Sequence, residues 1–220
     1  MAKSVGFMSP EHVLGTIYGK SSLALKMSEK RRDEVIAAAI FTSFRNQEFG
    51  TNFKLPADYE KIHHAEDARG IDIVVASDNG RLKKLQIKGI YISRAIRRRR
   101  RHETTGAARV LGRKSQRQIQ RDSLELAQVM KVALERITQD YSGLFLIIYV
   151  NADLATQTSL EIAMRKSAKR VEKLQAQEIW FLRNIPVRAI RGKASRINCF
   201  TYELLKVKPD RHTYVFSFAL

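Results

Sequence analysis

A single cysteine, Cys199, rules out an internal disulfide and a cysteine-built zinc site. No apolar run approaches the roughly 18 residues that a membrane-spanning helix needs, so no membrane partner is expected. The N-terminal residues MAKSVGFMSPEH lack the hydrophobic region of a signal peptide. The expected location is therefore the cytoplasm, with association to the nucleoid if the source is prokaryotic. Internal repeats are absent. Acidic residues are scarce: 22 Asp and Glu stand against 40 Lys and Arg, leaving a net charge of +18.

What remains is sufficient for a folded core. Of the 220 residues, 44% are apolar, enough for one α/β domain, alone or with a small appendage. The positive charge is concentrated. From Arg94 to Arg121 there are ten Arg and one Lys against one Glu and no Asp, including five consecutive arginines, Arg97, Arg98, Arg99, Arg100 and Arg101. Such clusters neutralise phosphates and release counterions, so a phosphate polymer is the expected partner. The run repels itself and suits a clamp that orders on a polyanion.

Residues 70–89, GIDIVVASDNGRLKKLQIKG, read as a β-hairpin closed by Asp78-Asn79-Gly80. With Ser77 opposite Arg81, Asp72 falls opposite Gln86, with Lys88 as a diagonal neighbour. Ile71, Ile73, Val75, Leu85 and Ile87 then share an apolar face. A two-residue Asn-Gly loop would mix the faces. Asp72, Gln86 and Lys88 on one face place a carboxylate, an amide oxygen and an ammonium together. Hard divalent cations such as Mg²⁺ take oxygen ligands, so Asp72, the Gln86 side-chain oxygen and the Ile87 carbonyl are candidate ligands. Lys88 is suited to orienting or deprotonating an attacking water, or to stabilising charge on a phosphate.

Elsewhere the chain is read more coarsely. Residues 1–27 give no firm element beyond a short helix from about Pro10 to Gly19. Ser28 caps a helix over about Glu29 to Gln47, ended by Gly50 and carrying Glu34 beside its apolar stripe. Thr51 to Arg69 reads as loop, with Glu66 and Asp67 as reserve ligands. A helix is expected over Lys114 to Asp140, its first half basic (Arg113 and Lys114 at its start, then Arg117 and Arg121) and suited to backbone phosphates. LFLIIYV, residues 144–150, reads as a strand buried on both faces. A capping box at Thr158 to Glu161 opens a helix reaching about Gln177. Trp180 to Leu182 and a C-terminal strand pair, Arg196 to Val207 and Thr213 to Ala219, complete the chain.

The helical Glu34, the Gly-Ile-Asp ending at Asp72 and the Gln86-Ile87-Lys88 triplet resemble the PD-(D/E)xK nuclease superfamily. The glutamine variant is similar to that of transposon-end-cleaving nuclease subunits. The resemblance spans about residues 28–152. Two features depart from the pattern: Gln86 stands for the second acid, and Ile71 for the proline. The resemblance implies an α/β fold, a mixed sheet flanked by helices (a restriction-endonuclease-like αβββαβ core), here with a C-terminal antiparallel extension. It implies Mg²⁺- or Mn²⁺-dependent hydrolysis of DNA phosphodiesters, with Glu34, Asp72, Gln86 and Ile87 at the metal and Lys88 on the nucleophile. RNA stays open as a partner, as does a homodimer or a targeting protein. The corresponding division is 1–27 as an N-terminal extension, 28–182 as core with a basic insertion at 94–121, and 183–220 as extension. The competing reading is a non-catalytic nucleic-acid-binding or assembly protein with a degenerate nuclease fold.

Overall fold

The computed structural model describes residues 6–18, 27–57, 72–77, 79–91, 116–137, 140–151, 157–185 and 199–219. The described elements run β1 (Phe7–Met8), α1 (Pro10–Tyr18), α2 (Glu29–Phe49), β2 (Phe53–Pro56), β3 (Ile73–Ser77) and β4 (Leu82–Tyr91). They continue with α3 (Gln116–Glu135), β5 (Tyr141–Asn151), α4 (Gln157–Lys173), β6 (Ala176–Ile185), β7 (Cys199–Lys208) and β8 (His212–Ala219). The strands form one eight-stranded sheet in sequential order. β5 and β6 pair in parallel, whereas the pairs β1–β2, β2–β3, β3–β4, β6–β7 and β7–β8 are antiparallel. The fold is thus α/β with a mixed sheet. Among the described residues, no helix is long and apolar enough to cross a membrane.

α2 is the buried helix of this sheet. Ser28 caps it, its hydroxyl accepting the Arg31 N–H at 3.2 Å, and Gly50 ends it in the left-handed conformation at φ 61°. Every residue from Asp33 to Phe44 is buried. Ala37, Ala38 and Ala39 have small side chains and are fully buried, as expected of a helix enclosed on all sides. Phe41 and Phe44 meet Trp180 edge-on at 5.3 and 5.6 Å. α1 adds Val13, Leu14 and Ile17 to the same core. α1 is therefore part of that core.

The hairpin register follows the sequence expectation. Ile73 pairs with Leu85, Val74 with Lys84, Val75 with Lys83 and Ala76 with Leu82. Ser77 N–H donates to Arg81 O and Gly80 N–H to Ser77 O, both at 2.9 Å, with Gly80 at φ 74°. Ile73, Val75, Leu85 and Ile87 are buried together. In β5, all residues from Leu144 to Val150 are buried, as the apolar run requires.

Several boundaries differ from the sequence reading. A strand, β2, lies where loop was expected. Asn46 of α2 grips Phe53 through both its N–H and its carbonyl, each at 2.8 Å, and so holds the chain extended. α3 ends at Glu135, short of Asp140. α4 ends at Lys173 rather than Gln177, because Ala176 buried and Gln177 exposed already alternate within β6. Thr158 lies inside α4, one residue past its start, rather than at the cap. The C-terminal strands continue the sheet through β6, and residue 182 falls inside that strand.

Contacts divide the chain into two compact units. One comprises Met1–Gly89, Gln139–Val150 and Gln175–Leu220; the other comprises Ile90–Thr138 and Asn151–Leu174. In the second unit, Arg170 of α4 donates to the carbonyls of Leu134, Glu135 and Ile137 at 3.2 Å each, closing the C-terminal end of α3. Leu126, Met130, Leu134, Leu160, Ala163 and Met164 are buried in it. These units differ from the three consecutive segments expected from the sequence.

Candidate functional site

Asp72 sits just before β3 and is locked to β4. Its N–H donates to Leu85 O at 3.0 Å. Its carboxylate Oδ2 accepts the Ile87 N–H at 2.6 Å and a hydrogen bond from the Gln86 amide nitrogen. The register places Asp72 opposite Gln86, so these contacts follow from strand pairing and need no long loop to assemble them. Gln86 is 1% exposed, and its Oε1 has no hydrogen-bond partner. A buried amide oxygen without a donor is costly, and a cation would satisfy it. Lys88 is half-buried, its ammonium 5.9 Å from the Tyr141 ring on β5.

Glu34 approaches from α2. It is 8% exposed, and its two carboxylate oxygens face different cations. Oε1 lies 3.4 Å from Lys30 Nζ and Oε2 lies 3.5 Å from Arg31 Nη1. The same Arg31 Nη1 donates to the Asp72 main-chain carbonyl at 3.4 Å. One guanidinium thus links the helix carboxylate to the start of the strand that bears the other. Glu34, Asp72 and Gln86, which lie on three separate elements of the sequence, are brought into one neighbourhood.

Two members of this neighbourhood were not anticipated. Arg31 is in register with Val35, Ala38 and Thr42 along the buried stripe of α2, and a cation aligned with an apolar stripe was the available signal. Tyr141 is 2% exposed, and burial, with the Asp72 charge second, pushes its hydroxyl pKa above the usual tyrosine value. No local pattern marks it, since only the placement of β5 beside β4 brings it near Lys88.

Two of the expected ligand residues also hydrogen-bond the Asp72 carboxylate. Ile87 meets Asp72 through its N–H, whereas its carbonyl was the expected ligand atom. Gln86 turns its nitrogen to Asp72 and leaves its oxygen unpaired, as the acceptor-only carboxylate dictates. Among the described residues, no group of three or more His, Cys, Asp or Glu side chains could hold a metal. Any ion here would rest on two carboxylates plus amide and carbonyl oxygens, a hard-donor set suited to Mg²⁺ or Mn²⁺.

Of the expected phosphate contacts, Arg117 and Arg121 are exposed on the first turns of α3, one helical turn apart on one face. Arg97, Arg98, Arg99, Arg100, Arg101, Arg113 and Lys114 lie outside the described residues, as do Glu66 and Asp67. Comparisons with protein-family models, with curated proteins and with solved structures find no match to this chain.

Proposed function

We propose that the chain is a metal-dependent DNA endonuclease, with Asp72, Gln86 and Lys88 on the hairpin and Glu34 on α2 as its active site. The observation that carries this reading is the buried, unpaired Oε1 of Gln86 beside the Asp72 carboxylate. An amide kept in a dry position with its oxygen unsatisfied is a poor structural choice and a reasonable ligand.

Glu34, Asp72, Gln86 and the Ile87 carbonyl would hold Mg²⁺ or Mn²⁺. When bound, such an ion polarises a phosphoryl oxygen and makes a water acidic enough to attack. The chain's own groups have separate tasks. The Ile87 N–H fixes one Asp72 oxygen, so the carboxylate keeps its orientation. Lys88 would place the attacking water or stabilise the phosphate in the transition state. The arginines 97–101, Arg113, Lys114, Arg117 and Arg121 would hold the DNA backbone, a role that carries affinity and salt dependence but no sequence information. Target choice would then fall to a second copy or a targeting partner.

The alternative, a nucleic-acid-binding protein without catalysis, is favoured by one observation. The Glu34 carboxylate is already neutralised by Arg31 and Lys30. A cleavage assay separates the two readings. Supercoiled, linear, branched and single-stranded DNA would be incubated with Mg²⁺, Mn²⁺ or EDTA, comparing wild type with Asp72→Ala and Lys88→Ala. Metal-dependent cutting that both substitutions abolish, with binding retained, is the expected result. Binding without cutting on every substrate would favour the alternative.

A further inference from the structure

We propose that Arg31 is a positioning residue that stands in for the metal's charge in the empty state and makes metal uptake depend on DNA phosphate. This rests on the metal-nuclease reading above and adds to it a coupling between two ligands.

Arg31 is an unusual residue to bury. Its side chain is 7% exposed, against 81% for Lys30, the other cation on Glu34. A solvated lysine is screened and contributes little, so Arg31 is the principal counter-charge of Glu34. Without it, a carboxylate exposed by only 8% would be left in a dry site, a strongly destabilising arrangement. The guanidinium also reaches the Asp72 carbonyl, so it fixes the spacing between α2 and the start of β3.

A guanidinium does not release its proton in proteins, so this charge is permanent. A divalent cation approaching Glu34 and Asp72 therefore meets a fixed positive neighbour that already occupies one Glu34 oxygen. Its affinity is lowered accordingly. A phosphodiester supplies the negative charge that relieves the conflict, because the guanidinium, which meets Glu34 through Nη1, binds phosphate oxygens as readily as a carboxylate. Arg31 then exchanges Glu34 for phosphate, and Glu34 is released to the metal. Linkage requires the converse as well: bound metal must tighten DNA binding by the same factor. The arrangement keeps the site from loading with metal when no substrate is present.

The test uses the full chain in a Lys88→Ala background, so that the duplex is not consumed. Mn²⁺ binding is measured by electron paramagnetic resonance of the free ion, with and without a short DNA duplex. Arg31→Gln, which keeps a hydrogen-bonding side chain but removes the charge, is expected to bind Mn²⁺ about tenfold tighter in the absence of DNA. It should also lose most of the enhancement that DNA gives the parent protein. Arg31→Lys keeps the charge and is expected to stay within about twofold of the parent without DNA. An Arg31→Gln protein that is folded by circular dichroism yet binds Mn²⁺ no tighter than the parent would overturn the proposal. If Arg31→Gln does not fold, Arg31→Lys decides: DNA-free affinity well above the parent's would show that charge is not the cause. Asp72→Ala serves as the control for the underlying reading. If Mn²⁺ binds equally well without Asp72, the metal site itself is misassigned and the Arg31 proposal falls with it. If binding needs Asp72 but ignores Arg31, only the coupling fails.

Discussion

At Gln86 a single atom separates the observed amide from a carboxylate. The amide donates to Asp72, and a carboxylate in its place would face Asp72 as a like charge in a position 1% exposed. Gln86→Glu is therefore expected to destabilise the metal-free protein by about 2 kcal/mol or more, since a donor is lost and a buried charge gained. Added Mn²⁺ should restore that loss under the nuclease reading, because the second carboxylate strengthens the ion's binding. Thermal unfolding in EDTA and in Mn²⁺ reads both effects. A variant whose stability ignores Mn²⁺ would count against a metal at this position. The legibility of the site differs residue by residue. Asp72, Gln86 and Lys88 could be read because alternation along two short strands decides which side chains share a face. Arg31 could not be placed by charge alone, since a basic residue early in a helix is ordinarily solvated.

Among the elements, α2 and the β3–β4 hairpin carry the site, and each depends on one terminal residue. The Ser28 hydroxyl satisfies the Arg31 N–H at the first turn of α2, the same turn from which the Arg31 side chain reaches Asp72. Ser28→Ala is expected to cost about 1 kcal/mol, measured by urea denaturation. At the hairpin, Gly80 adopts φ 74° with open space around the position of a β-carbon. Gly80→Ala thus meets no clash, and its expected cost of about 1–2 kcal/mol is purely conformational. Because that turn sets the register that pairs Asp72 with Gln86, cleavage under the nuclease reading should fall with the folded fraction and no further. A larger loss of activity would mean that the register itself had slipped.

For the whole molecule, two buried polar pairs set how stability responds to substitution and to pH. Arg183 and Glu203 bridge β6 and β7 at 2.6 Å with side chains 6% and 5% exposed. Glu203→Leu removes the carboxylate that the buried guanidinium faces and is expected to cost about 3–5 kcal/mol. The double variant Arg183→Met with Glu203→Leu should recover most of that loss in the same denaturation experiment. Tyr18 and Tyr202 share a hydrogen bond at 2.8 Å between their hydroxyls. Burial, the largest cause for both, raises both hydroxyl pKa values above the ordinary tyrosine value of about 10. Below pH 10 the phenols are neutral in folded and unfolded chains alike, and their contribution is fully present. Above it the unfolded chain ionises first, so stability is lost as pH rises towards the folded values. A Tyr18→Phe, Tyr202→Phe protein should lose stability less steeply over about pH 9 to 11 than the parent.

The sequence by itself determined the elements whose periodicity is local. These are the capped helix α2, the hairpin with its register and three-residue turn, and the apolar strand β5. In each, the pattern and the terminating residue act within a few positions, so hydrogen bonding and burial point the same way. Tertiary structure decided the rest. β2 is extended because Asn46, seven residues earlier at the end of α2, holds it, and α4 stops where β6 can pair with β5. β1 and α1 join the first unit because Phe7 and Met8 pair with β2 and because Val13, Leu14 and Ile17 enter its core. Tyr141 reaches Lys88 only because β4 and β5 are neighbours in the sheet. These features depend on partners outside the element itself, most of them far along the chain, and no short-range periodicity encodes which partner a half-apolar segment will meet.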